Sequence, residues 1–207
     1  MKITKYEHAC VVIEEEGRLL VIDPGKFSTS FKPTENIDCV VITHVHSDHF
    51  NLGTLNEIKK LNPTAVFYSV AQVAKEAPSL NIEVVKVGKS YMHGVFRAEF
   101  FGGDHELYEG FENVAILVND TFYHPGDSYT KPNKKIKVLG APASAPWLRV
   151  TEASQFIKDV APEKVFPIHN SLLSDVGEEI YYRNLAAAAQ EAGSEWMVLK
   201  PGESIEI

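Results

Sequence analysis

The stretch Thr43-His44-Val45-His46-Ser47-Asp48-His49 restricts this chain more than any other. The apolar run Ile37-Asp38-Cys39-Val40-Val41-Ile42 before it reads as a buried strand, and Thr54-Leu55-Asn56-Glu57 after it reads as a capping box that opens a helix. Side chains along a strand repeat every two residues, so His44 and His46 leave the strand end on one face. The turn that follows can swing Asp48 and His49 toward the same point. Four side chains able to ligate a metal thus fall within six residues. A solvated turn with incidental histidines is the bland alternative, and the position between a buried strand and a capped helix favours a metal site over it.

The rest of the chain must supply a core that can hold such a turn. With 207 residues, 44% hydrophobic and 23% charged, it suffices for one domain spanning 1–207. A net charge of -8 argues against a nucleic-acid partner, because neutralising phosphates takes a basic face. Cys10 and Cys39 both lie in apolar runs, which suits buried free thiols in a reducing compartment, the cytoplasm by default. Met1 to His8 lacks the apolar core of a signal peptide, and no apolar run approaches the roughly 18 residues of a membrane span, so a soluble chain with no membrane partner is expected. Homo-oligomerisation stays open.

In chain order, strands are expected over Ile3-Tyr6, Cys10-Glu14 and Leu19-Asp23, the last stopped by Pro24-Gly25. After the histidine turn come a helix from Thr54 to Leu61, a strand over Ala65-Val70 and a short helix over Ala71-Ala77 stopped by Pro78. Strands then return over Ile82-Val87, Val95-Gly102, Val114-Val118, Thr121-His124 and Ile136-Leu139, with a hairpin turn at Asn119-Asp120. The last third reads as a helix over Thr151-Val160 with Thr151 as N-cap, a strand over Lys164-Ile168, a helix over Gly177-Ala192 ended by Gly193, and a strand over Trp196-Leu199. Each half runs from strands into strand-helix pairs, which suits two sheets packed face to face with helices outside.

Three further polar residues fit the rim where the strands of such a sandwich end. His105 stands in Gly102-Gly103-Asp104-His105-Glu106, Asp127 in His124-Pro125-Gly126-Asp127-Ser128, and His169 in Phe166-Pro167-Ile168-His169-Asn170, each in a turn behind an apolar run. Joined to the first cluster they provide enough nitrogen and oxygen ligands for two divalent ions bridged by a carboxylate. Asp104 or Glu106 could replace His105 if that loop is read one residue off, and Asp127 could be only an Asx-turn residue.

His-Val-His-Ser-Asp-His resembles the HxHxDH signature of the metallo-β-lactamase superfamily, and His105, Asp127 and His169 match the order of that superfamily's later ligands. The opening His8-Ala9-Cys10-Val11-Val12-Ile13-Glu14, with Val21-Ile22-Asp23-Pro24-Gly25, further resembles a small bacterial branch similar to ascorbate-phosphate lactonases. The resemblance implies an α/β fold, the four-layer αββα sandwich of two mixed β-sheets. It also implies one metal on His44, His46 and His105, a second on Asp48, His49 and His169, and Asp127 between them. In that branch a histidine at the place of His8 is a common neighbour of the site; a surface turn residue is the alternative.

Two cations so held would lower the pKa of a shared water from 15.7 to about 7 and polarise the bond under attack, which makes a hydrolase. Asp48 could aim the hydroxide, and a metal-bound water, His8 or Asp48 could protonate the leaving group. With no cysteine among the ligands, zinc is the first expectation, and manganese and iron are also acceptable. No signal peptide is expected, and Asp127 stands where secreted β-lactamases usually carry a cysteine. Nor does the chain have length for the added domains of glyoxalase II or flavodiiron relatives. A small-molecule substrate remains, an anionic metabolite with an ester-type bond, lactone or phosphodiester. The rival readings are a nuclease or cyclic-nucleotide phosphodiesterase, and a non-enzymatic sensor on the same scaffold. Trp147 could wall the substrate pocket, and Tyr129 and Lys131 could reach a substrate anion. His124 is expected to pack at a strand end and His93 to face solvent.

Overall fold

The computed structural model describes residues 1–107 and 109–207. Alternating apolar residues draw the first part of the chain into β1 (Lys2–Lys5), β2 (Val11–Glu15) and β3 (Arg18–Ile22), an antiparallel meander. From there the pairing changes hand. β4 (Ile37–Ile42), β5 (Val66–Ser69) and β6 (Glu83–Val84) add to β3 in parallel, so each must be reached by a crossover. α1 (Leu52–Leu61) and α2 (Ala71–Glu76) supply the later two crossovers.

The second half repeats the plan. β7 (Ser90–His93), β8 (Phe96–Asp104), β9 (Glu112–Val118) and β10 (Phe122–His124) are antiparallel, and β11 (Val138–Pro142), β12 (Lys164–Ile168) and β13 (Glu195–Trp196) follow in parallel. α3 (Val150–Val160) and α4 (Asp175–Glu191) are the crossovers here. A last strand, β14 (Ser204–Glu206), returns to the first sheet beside β1, with Ile205 opposite Ile3. Two seven-stranded mixed sheets with helices outside make the αββα sandwich that the resemblance implied.

Period-two burial separates the layers. On β9, Val114, Ile116 and Val118 join the core between the sheets, while Ala115 and Leu117 face α3 and α4 together with Phe156, Ile157 and Leu185. Phe122 and Tyr123 divide in the same way, and Phe122 stacks on Phe166 with ring centroids 5.7 Å apart. Each such side chain contributes about 1.5–3 kcal/mol by leaving water. Cys10 and Cys39 are buried free thiols in the first core. Among the described residues no helix is long and apolar enough to cross a membrane.

Element boundaries depart from expectation where a cap or an edge decides them. α1 opens at Leu52 because Asn51 accepts from Gly53 N at 3.1 Å, so Thr54 lies inside the helix and forms no capping box. α3 begins after Arg149, without a side-chain cap, which leaves Thr151 in its first turn. α4 opens at Asp175, capped by Ser174, rather than at Gly177. The strands expected over Ile82-Val87 and Trp196-Leu199 shrink to the two-residue β6 and β13, both at sheet edges, and that over Ile136-Leu139 moves to Val138–Pro142. β7 and β14 were not foreseen, because their short sequences show little apolar alternation and pairing across an edge creates them. His93 closes β7 and is half-buried, not a solvent-facing turn residue. Asn119 and Asp120 do form the turn between β9 and β10, at φ 48° and 53°.

Candidate metal centre

The loops that follow the carboxyl ends of β3, β4, β8, β10 and β12 meet at one rim. After β4 the chain turns so tightly that His49 N and Phe50 N both donate to His46 O, at 3.0 and 2.8 Å. The loop after β3 clamps this turn. Lys26 N donates to Ser47 O at 2.7 Å, and Gly25 lies so close that a Cβ would stand 1.8 Å from Asp48 O. In the same loop the fully buried Asp23 accepts from Thr43 N, Thr43 Oγ1 and His49 Nδ1, each at 2.7 Å. An ionised carboxylate only accepts, so the proton of His49 sits on Nδ1 and Nε2 turns its lone pair to the centre.

Other loops are set by equally specific contacts. Asn113 on β9 donates through Nδ2 to Pro125 O and accepts at Oδ1 from Asp127 N, both at 3.0 Å, which fixes the turn carrying Asp127. His169 N donates to His8 O at 2.9 Å, and the ring of His169 donates from Nδ1 to Ser144 O. His8 is fully buried; its Nδ1 accepts from Ser171 N at 3.3 Å, so its Nε2 donates to Asp48 Oδ2 at 2.9 Å. His8, Asp23 and His169 all hold positive φ (59°, 48° and 55°), a conformation costing on the order of 1–3 kcal/mol for a residue with a Cβ. Strain gathered at one rim marks where the fold is held for a purpose other than stability.

The side-chain atoms form two sets, within each of which they lie no more than 4.8 Å apart: His44, His46, His105 and Asp127, and His8, Asp48, His49 and His169. Asp127 faces both. Its Oδ1 is 3.0 Å from His49 Nε2 and 3.1 Å from His169 Nε2, and its Oδ2 is 3.4 Å from His105 Nε2 and 3.9 Å from His44 Nε2. The structure thus brings together His44, His46, Asp48, His49, His105, Asp127 and His169, from positions up to 125 residues apart. His8 joins them, but both of its nitrogens already have protein partners.

Whether cations fit can be tested on the buried polar atoms. His49 Nε2 and His169 Nε2 are buried 3.0 and 3.1 Å from the buried Asp127 Oδ1, yet none of the three makes a hydrogen bond. Lone pairs aimed at a shared point away from water are costly unless a positive charge meets them. The all-nitrogen-and-oxygen set suits zinc, manganese or iron. His105 is the exception in detail: its Nδ1 accepts from Leu107 N at 3.0 Å, which puts the neutral ring's proton on Nε2. Ligation through Nε2 requires that proton to move and this contact to give way.

Without a cation the rim collects its positive charge as protons, which a bound metal would displace from Nε2 of His49 and His169. Burial alone would push His49 down, but Asp127 and Asp23 raise it well above the ordinary imidazole range. His169 is likewise raised to about 9, against its burial, by Asp127 and Asp48. Burial would raise Asp48 and Asp127, and the surrounding imidazoles hold both well below the usual carboxylate range. His44 and His46 go the other way, lowered by burial first and then by neighbouring histidines. Burial also pushes His8 down to about 4.

Sequence reasoning did not single out Asp23, Thr43 or Asn113 as partners of this site. Asp23 alone carried a signal, a carboxylate at a strand end before Pro-Gly, like the other rim residues. Trp147 lines the cleft and also donates from Nε1 to Asp127 Oδ2 at 2.9 Å. Tyr129 and Lys131 line a separate depression, where Lys131 pairs with Asp159 at 3.0 Å. His124 packs at the end of β10, donating to Ala9 O and accepting from Gly126 N.

Relatives align with this chain over most or all of its length. A Mycobacterium tuberculosis protein designated Rv0786c is 31% identical over 194 residues, covering 89% of this chain and 91% of its own. The UPF0173 metal-dependent hydrolase NEQ378 of Nanoarchaeum equitans is 26% identical over 226 residues, covering all of both chains. Among solved structures, Igni18, a metallo hydrolase of Ignicoccus hospitalis, superposes with a TM-score of 0.76 at 20% identity over 100% of this chain and 98% of that one, which shows a common fold. The profile described as "Beta-lactamase superfamily domain" matches residues 2–169, the span holding every loop that brings a metal-binding candidate to the rim, and the chain belongs to that family.

Proposed function

We propose that the protein is a metal-dependent hydrolase that cleaves an ester-type bond, a lactone or a phosphodiester, in a small molecule. The observation that carries this reading is Asp127, whose two oxygens each face a different set of histidines. His44, His46 and His105 would hold one cation and Asp48, His49 and His169 the other, with Asp127 shared. Divalent cations bound there, zinc first and manganese or iron as alternatives, supply hydroxide at neutral pH and polarise the bond under attack. The name of the Nanoarchaeum relative supports the same reading.

The protein's own groups hold protons at defined atoms. Asp48 accepts at Oδ2 from His8 and stays ionised, so it serves as an acceptor that orients a water rather than as a reservoir for its proton. His8, pushed down to about 4 by burial, is neutral at pH 7 with its proton on Nε2. It therefore fixes the rotamer of Asp48 and is poorly placed to protonate a leaving group. Free buried thiols at Cys10 and Cys39 are compatible with a cytoplasmic setting.

The test is a panel of simple esters, lactones and phosphodiesters offered to zinc- and manganese-loaded protein beside a His46→Ala variant. At least one class should be turned over, and the variant should lose roughly 100-fold or more, since even partners outside the ligand set cost 10–100-fold when removed. Equal turnover by both proteins would end the proposal.

A further inference from the structure

The cleft over the two ligand sets, about 250 Å³, has walls of one chemical character. Phe27, Leu107, Pro146, Trp147 and Leu172 line it, and among the described residues lining it none is a lysine or an arginine. Leu172, Leu107 and Phe27 are 53%, 42% and 39% exposed. A single exposed leucine is ordinary, but three apolar side chains around one mouth form surface that is stabilised when something apolar covers it.

Two of these walls are tied to the centre itself. The indole N–H of Trp147 is held by Asp127 Oδ2 at 2.9 Å, and its ring stands edge-on to His105 and His169, with centroids 6.2 and 6.4 Å apart. Phe27 stands edge-on to His8 at 5.1 Å. The apolar surface therefore begins where the reacting bond would lie and is positioned before anything binds. The one lysine considered for a substrate anion, Lys131, pairs with Asp159 and borders another depression. A charged group remote from the reacting bond would be desolvated here with no cationic side chain to meet it, on a chain of net charge -8.

We infer that the substrate's non-reacting part is an uncharged aliphatic or aryl arm laid along Trp147, Leu107 and Leu172, so the natural ligand is an ester or lactone with an apolar tail. This rests on the hydrolase reading of the same cleft and replaces the anionic metabolite expected from the sequence. Trp147 acts as a specificity wall and, through its N–H, as a positioning residue for Asp127.

The experiment uses lactones bearing alkyl arms of roughly two to eight carbons and matched lactones whose arms end in a carboxylate. Binding is read by quenching of Trp147 fluorescence in a Trp196→Phe background, and turnover is read with zinc- or manganese-loaded protein. Affinity should rise about three- to four-fold per methylene until the arm outgrows the cleft. Carboxylate-ended arms should bind at least about tenfold more weakly, and Leu172→Lys should erase that difference. Affinity independent of arm length, or equal or tighter binding of the carboxylate series, would overturn the inference while leaving hydrolysis untouched. Arm-dependent binding with no turnover of any member, nor of esters and phosphodiesters bearing the same arms, would uphold the apolar cleft and overturn the hydrolase reading instead.

Discussion

Asp23 shows how one buried carboxylate sets the chemistry of a histidine from another loop. With three donors on its two oxygens, it keeps the proton of His49 on Nδ1 and leaves Nε2 to the centre. In Asp23→Asn an amide N–H replaces one of those acceptors and forces the opposite tautomer on His49. Metal titration should then show affinity at the Asp48, His49 and His169 set falling 10–100-fold, with far-UV circular dichroism unchanged. Gly25 acts by absence of a side chain. A Cβ there meets Asp48 O and C at 1.8 and 2.1 Å, both backbone atoms that cannot step aside. Gly25→Ala should therefore destabilise by about 1–3 kcal/mol or more in urea and displace Asp48, with loss of metal uptake. Retention of wild-type stability and metal content would show that the clamp is not needed.

At the scale of elements, the change from antiparallel to parallel pairing within each sheet does most to place the centre. It obliges the chain to cross over outside the sheet after β4 and β12, so the loops leaving those strands lie at their carboxyl ends, where His44–His49 and His169 stand. α1 follows directly on the histidine turn, and its opening rests on Asn51 rather than on Thr54. Asn51→Ala should cost about 1 kcal/mol and lower the melting temperature by about 2–4 °C, whereas Thr54→Ala, at a half-buried position inside the helix where it caps nothing, should cost less than that. Comparable losses from the two would restore the capping box that the sequence suggested.

For the molecule as a whole, the rim exchanges stability for a charge-hungry site, and cations should return it. Zinc or manganese at about 100 times its dissociation constant should add about 2.7 kcal/mol, which for a chain of this size raises the melting temperature by about 5–10 °C; a chelator should reverse it. A scan showing no shift would mean that the sites do not close on metal in the native state. Lys5, whose ammonium reaches the residue after His169, gives a separate pH signature. Buried against Tyr6 O and Asn170 Oδ1, it is lowered to about 8 by desolvation, against the attraction of Glu178. Below pH 8 the folded state carries this buried charge; between 8 and 10.5 only the unfolded chain keeps the proton, so stability should rise with pH across that window by on the order of 3 kcal/mol. Thermal scans of wild type against Lys5→Met should show that rise only in the wild type.

Apolar periodicity and the turns behind apolar runs were enough to indicate two packed sheets, outer helices and candidate residues at the rim, because buried strands and ligand turns leave local patterns in the chain; the mixed sheets and the division of ligands into two sets came from the resemblance. Edge strands such as β7 and β14, and the caps that open α1, α3 and α4, were not legible, since pairing partners and cap geometry select among several locally acceptable starts. Only the folded chain decided that His8 spends both nitrogens on the protein, that Asp23 sets His49, that Trp147 holds Asp127, and that the cleft is walled by apolar side chains. Each of these depends on distances between loops that meet only after the sheets have packed, and no local propensity encodes such a distance.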